Sequence, residues 1–168
     1  ALTSGGSNTA VGYQSLMTLA TGNNNTAFGY QALRLSDGAD SNQTAIGSEA
    51  LENSTTGTNT AVGVAAMKWV DDGSANVAVG YLAMTSAGAD AGNTASDNVA
   101  IGKSALAAIT DGGNNVAIGS SAGATLTESS YNVAIGQSAL SGSVTGAKNI
   151  AIGKNAGLNQ TSGEGCVY

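Results

Sequence analysis

Nine copies of almost the same nonapeptide run through these 168 residues. The first reads Asn8-Thr9-Ala10-Val11-Gly12-Tyr13-Gln14-Ser15-Leu16, and the last full copy reads Asn149-Ile150-Ala151-Ile152-Gly153-Lys154-Asn155-Ala156-Gly157. Copies begin at Asn8, Asn25, Gln43, Asn59, Asn76, Asn98, Asn115, Asn132 and Asn149, mostly 17 residues apart, with one spacing of 22. A fixed period means one supersecondary unit stacked many times. Such an array is first a shaped, rigid surface and only secondarily a place for a pocket. The repeat cores span 8–157 of a single repeat domain, 1–168. A broken tenth copy near 165–168 begins at Gly165, with Cys166-Val167-Tyr168 replacing Val-Ala-Ile.

The columns of the repeat are strict. Position 1 is Asn in eight of nine copies (Asn8, Asn25, Asn59, Asn76, Asn98, Asn115, Asn132, Asn149). Position 3 is always Ala, and position 5 is always Gly (Gly12, Gly29, Gly47, Gly63, Gly80, Gly102, Gly119, Gly136, Gly153). Positions 2 and 4 carry Thr, Val, Ile or Phe around that Ala. Branched residues in alternation predict a strand. The intervening Ala makes the second face apolar as well, so the strand is expected to be buried on both faces. Gly then either turns the chain at positive φ or admits a close backbone approach. Positions 6 to 9 alternate polar with small or apolar residues and read as a second, half-exposed strand. The remaining Thr, Gly, Asn, Asp and Ser form turns and loops.

Stacked coils place parallel, in-register strands ~4.8 Å apart, so nine make a rod ~43 Å long. Asn at position 1 is expected to form a ladder, a turn, or both. Position 3 is too small to fill the core of a lone thin coil. Its apolar face therefore predicts self-association, with three rolls around an axis as the preferred arrangement.

Composition narrows the functions. Charged residues make up 10 %, against ~25 % in ordinary soluble domains. A low-complexity disordered chain would have such a composition, but not such fixed columns. The net charge of −6 disfavours nucleic acid and offers no basic face to an anionic membrane. No apolar run of ~18 residues suits a transmembrane helix, so no membrane insertion is expected. Lone Cys166 cannot build an internal disulfide framework.

The columns N-[TVI]-A-[VIF]-G-x-x-[SA]-[LMG] resemble the head repeats of YadA-like trimeric adhesins. Asn25-Thr26-Ala27-Phe28-Gly29-Tyr30-Gln31-Ala32-Leu33 is similar to repeats of bacteriophage tail fibres. The resemblance implies an all-β, left-handed parallel β-roll or β-solenoid of about nine to ten coils, assembled as a homotrimer. It implies a non-enzymatic fibre segment on a virion surface that mediates or supports host attachment. Its partners would be itself, adjoining fibre or virion proteins, and a host-surface glycan or protein. The alternative is the head of a bacterial trimeric surface adhesin, displayed on the cell. The period here is longer than the compact adhesin coil, so the extra residues are expected to protrude.

Other chemistries fit less well. Ile101-Gly102-Lys103-Ser104-Ala105-Leu106 matches one hexad of an acyltransferase β-helix. That fold needs three hexads per coil and a His base, and the chain has no His. No cofactor and no catalytic residue is expected. Carboxylates such as Glu49, Glu52, Asp71, Asp72 and Glu128 read as solvated loop residues. Asp37-Gly38-Ala39-Asp40-Ser41-Asn42 and Asp71-Asp72-Gly73 offer oxygen ligands suited to Ca²⁺, but Asp-Gly is also an ordinary turn, and no metal site is assigned. A Thr row at position 2 (Thr9, Thr26, Thr44, Thr60) would suit ice, but gives way to Val and Ile. That change reads as an inward-facing column. Candidate receptor contacts are Trp69, in a loop, and Tyr13, Tyr30 and Tyr81 at position 6. The longest loop is Thr85 to Asp97.

Overall fold

The computed structural model describes residues 5–18, 21–35, 41–54, 57–86, 93–142 and 145–168. Each repeat contributes one three-residue strand at positions 2 to 4. The strands are β1 Thr9–Val11, β2 Thr26–Phe28, β3 Thr44–Ile46, β4 Thr60–Val62, β5 Val77–Val79, β6 Val99–Ile101, β7 Val116–Ile118, β8 Val133–Ile135 and β9 Ile150–Ile152. They form one nine-stranded parallel sheet in chain order. Register is exact by column: Ala27 faces Ala45, and Ala117 faces Ala134. The fold is a β-solenoid, and the 22-residue spacing between β5 and β6 leaves the pairing intact.

The orientation of the strand reverses the sequence expectation. Ala at position 3 points inward and is fully buried from Ala27 to Ala151. The branched side chains at positions 2 and 4 point outward, exposed or half-buried. Only one face of the strand is buried within the chain. The reason is width. The cross-section of one coil is filled by the Ala of position 3, the Ala of position 8 and the Leu or Met of position 9. Leu33, Leu51, Met67, Met84, Leu106 and Leu140 are all fully buried. A branched residue at position 3 would overfill this interior. The alanines therefore build the core of a single chain, rather than meeting a neighbouring subunit. Coil seven has Gly123 at position 9, and Leu126 fills the space from three residues further on: a Cβ on Gly123 would lie 2.9 Å from Leu126 Cδ1.

Positions 6 to 9 are not a second β-strand. They are turns in which position 7 (Gln14, Ser104) and position 9 (Leu33, Leu106) take φ near +50°. Alternating handedness still lets coils bond to one another: Gln31 N–H donates to Tyr13 C=O at 2.8 Å, and Leu33 N–H to Ala50 C=O at 3.0 Å. The ladder is continuous but not β-type. Non-glycine residues in this region cost ~1–2 kcal/mol each, which the stacked bonds and the buried position-9 side chain offset.

The tenth copy is also shifted by one residue. Cys166 N–H donates to Asn149 Oδ1, and Val167 pairs with Ile150. Cys166 therefore occupies position 1, Val167 position 2 and Tyr168 position 3. Gly165 (φ 68°) precedes the copy, as Lys148 (φ 60°) precedes the ninth. A one-residue slip exchanges inward and outward side chains, and Val167 is accordingly 76 % exposed.

Candidate functional site

Two columns hold the scaffold rigid. The side-chain oxygen of each position-1 residue accepts the backbone N–H of its counterpart in the next coil, from Asn8 to Asn25 through Asn149 to Cys166, at 2.9–3.0 Å. In the central coils that oxygen also takes the next amide, as when Asn115 Nδ2 donates to Asn98 Oδ1 at 3.0 Å. The same Nδ2 clamps the following loop through Ser129 C=O at 2.9 Å. Asn is thus ladder and loop clamp together. Gln43 keeps the ladder, its Oε1 accepting Asn59 N–H at 3.0 Å, while its longer arm sends Nε2 to Ser54 Oγ. The glycines at position 5 meet both requirements set for them. Their φ lies between 124° and 146°. A Cβ on any of the first eight would come within 3.0 Å of the next coil's backbone.

The outward strand face runs the length of the rod. Val11, Phe28, Ile46, Val79, Ile101, Ile118 and Ile152 are 37–62 % exposed at position 4. At position 2, Thr9, Thr26, Thr44 and Thr60 lead into Val77, Val99, Val116, Val133 and Ile150. Position 2 is therefore an outward column, contrary to its reading as inward, and the Thr row lies on a solvent-facing strand surface. Because the flanking residues are branched and apolar over most of the rod, the face favours apolar contact.

The position-6 tyrosines are exposed: Tyr13 66 %, Tyr30 48 % and Tyr81 51 %. Tyr13 and Tyr30 stack with ring centroids 5.5 Å apart and planes 13° apart. Their neighbours Gln14 and Gln31 bond amide to amide at 2.7 Å. Tyr81 stands between Val64 and Lys103 in its column, away from that pair.

Trp69 is half-buried, with Lys68 Nζ 5.0 Å from its ring centroid. It belongs to a cluster that the sequence reading missed. Arg34, Glu52 and Lys68 occupy position 10 of coils two, three and four, one above another. Arg34 Nε donates to Glu52 Oε1 at 2.9 Å. Lys68 Nζ lies 2.6 Å from Glu49 Oε2 and 3.1 Å from Glu52 Oε2. Glu52 is buried and Glu49 partly so, so neither is a freely solvated loop carboxylate. Burial works against the Lys68 charge, but the two glutamates outweigh it and hold the ammonium above its ordinary pKa. The signal was present in the sequence as a column of alternating sign. The Asp71 carboxyl is pushed up by burial, with the Asp72 charge adding to it.

Among the described residues, no group of three or more His, Cys, Asp or Glu could hold a metal ion. Asp37 and Asp40, and residues 87–92 of the longest loop, lie outside the described residues. Among the described residues the surface thus carries a ruled apolar strand face, an aromatic–amide pair and an ion ladder. No protein-family model, curated protein or solved structure matches the chain.

Proposed function

We infer that the chain is a structural, non-catalytic fibre segment that works as a homotrimer. In this reading three left-handed rolls pack around a common axis through their strand faces. One observation carries it: a parallel sheet with one face open, lined for ~43 Å by exposed Val, Ile and Phe. Parallel sheets are ordinarily covered on both faces, and an apolar surface this continuous marks a contact site. Further copies of the same chain present the same ruled face, so covering it needs no other partner. The number three and the hand of the roll come from the resemblance to trimeric adhesin heads and tail-fibre repeats. The same resemblance supports display on a virion surface, where the rod supports or mediates attachment to a host. Display on a bacterial cell surface is the alternative.

Light scattering on purified chain tests the assembly. The expected mass is three times the 16.2 kDa chain. Ile101→Glu with Ile118→Glu would place charges in the packed face and reduce the mass to that of one chain. A wild-type mass of a single chain refutes the reading.

A further inference from the structure

Position 6 is not required by the coil to be aromatic. Apart from Tyr81, it is Ser48, Val64, Lys103, Ser120, Gln137 and Lys154 in the other coils, and position 7 is as variable. The first two coils nevertheless place Tyr at one and Gln at the other, twice in succession. The result is a rigid patch. Gly12 and Gly29 fix the chain just before each Tyr, Gln31 N–H is bonded to Tyr13 C=O, and the rings and amides are paired as described. Little rotamer freedom remains to be lost on binding.

We propose that Tyr13, Gln14, Tyr30 and Gln31 form a binding platform for a neutral carbohydrate. The proposal rests on the attachment reading and names the ligand class it would serve. A sugar ring has an apolar C–H face and a rim of hydroxyls. Tyr13 and Tyr30 cover each other's inner faces in the stack, and the outer phenol face that each ring leaves uncovered matches the C–H face. Each Gln amide retains donor and acceptor capacity beyond its one mutual bond, which matches the rim. The four residues carry no charge, and the nearest charged side chain in these columns, Glu49, is engaged by Lys68 at 2.6 Å. That selects against an anionic glycan. Size selects against a folded protein: two coils are about 10 Å high, whereas protein partners cover ~800 Å² each.

Labelled intact chain on an array of neutral and anionic glycans tests this, followed by saturation-transfer NMR with the best neutral trisaccharide. The expected result is binding to at least one neutral glycan, with transfer to its ring C–H protons. Tyr13→Ala with Tyr30→Ala should weaken binding at least tenfold, and Val64→Ala, at the exposed position 6 of coil four, should leave it unchanged. Tyr30→Ser, which installs the residue found at this position in coil three, keeps the test valid if the double variant misfolds, and should weaken binding severalfold. Binding to no neutral glycan, binding to anionic glycans alone, or binding that survives both sets of changes overturns the proposal. The mass of the same samples is measured in parallel. Single-chain mass with retained sugar binding would refute the trimer and spare the platform; a trimer without sugar binding would do the reverse.

Discussion

Gly102→Ala isolates what the glycine column contributes. Two costs apply there. Gly102 has φ 131°, where a non-glycine residue is strained by ~1–3 kcal/mol. An added Cβ would also lie 2.6 Å from Gly119 O and 2.7 Å from its carbonyl carbon. Those are backbone atoms held by the sheet, so relief requires coils six and seven to separate, an overpacking cost of ~1–3 kcal/mol. Together they total about 4 kcal/mol, or ~8–16 °C of melting temperature for a chain of this size. Gly153→Ala separates the two costs. Gly153 has almost the same φ, 130°, but nothing lies within 4 Å of its Cβ position. It should lose only the strain, about half as much. Asn149→Ala, in the same coil, checks that damage near this end registers in the melt. Thermal unfolding followed by circular dichroism gives all three values. If Gly102→Ala melts within about 2 °C of wild type, or Gly153→Ala loses as much as Gly102→Ala, close coil-to-coil approach is not why the column is Gly.

Two further outcomes follow from the ladders. Asn115→Ala leaves Asn132 N–H without its partner and removes one bond to Ser129 C=O; at ~1–3 kcal/mol for the buried orphan and ~1 kcal/mol for the lost bond the loss should be about 2–4 kcal/mol in urea unfolding, while exposed Ser120→Ala should stay within ~0.5 kcal/mol. The Lys68 ammonium is held above its ordinary value of 10.5, so the folded state binds that proton more tightly than the unfolded chain. Its contribution is complete below that value and is lost as pH rises through the folded pKa. Wild type should therefore lose more melting temperature than Lys68→Met between pH 9.5 and 11.5, and equal losses would show that the ion ladder contributes nothing.

The repeat was legible because a solenoid writes its period directly into the sequence. Ala, Gly and Asn recur at fixed positions because methyl width, positive φ and a side-chain amide are each needed once per coil. The inward face was not legible from the strand alone. Thr-Ala-Val alternates with period two, and both of its faces are apolar, so the pattern fits either orientation. The deciding evidence lay outside the strand, in the Ala and Leu of positions 8 and 9, which must share the interior and leave room only for Ala. The second strand was misread because nothing in Gln, Ser, Leu or Met marks a residue that will adopt φ near +50°. The Arg34–Glu52–Lys68 ladder was visible only when position 10 was read down the copies, since each residue alone looks like loop charge.

Coil width and outward apolar surface have one cause. A core that admits only Ala from its strand must send every larger strand residue outward. Nine strands then turn eighteen side chains outward, and from β5 onward all of them are Val or Ile. An ordinary domain would offset such a surface with charge, but charged residues are 10 % of this chain. Several of them, Arg34, Glu52 and Lys68 at position 10 and Glu49 at position 7, are spent on one another. The thin coil therefore gains stability along its axis, from bonds and packing between successive repeats, and leaves unfinished burial at right angles to it. The association proposed above would complete that burial without altering the coil. It would also leave position 6, on the turn outside the strand face, uncovered, so the exposed Tyr pair would remain accessible to the proposed ligand.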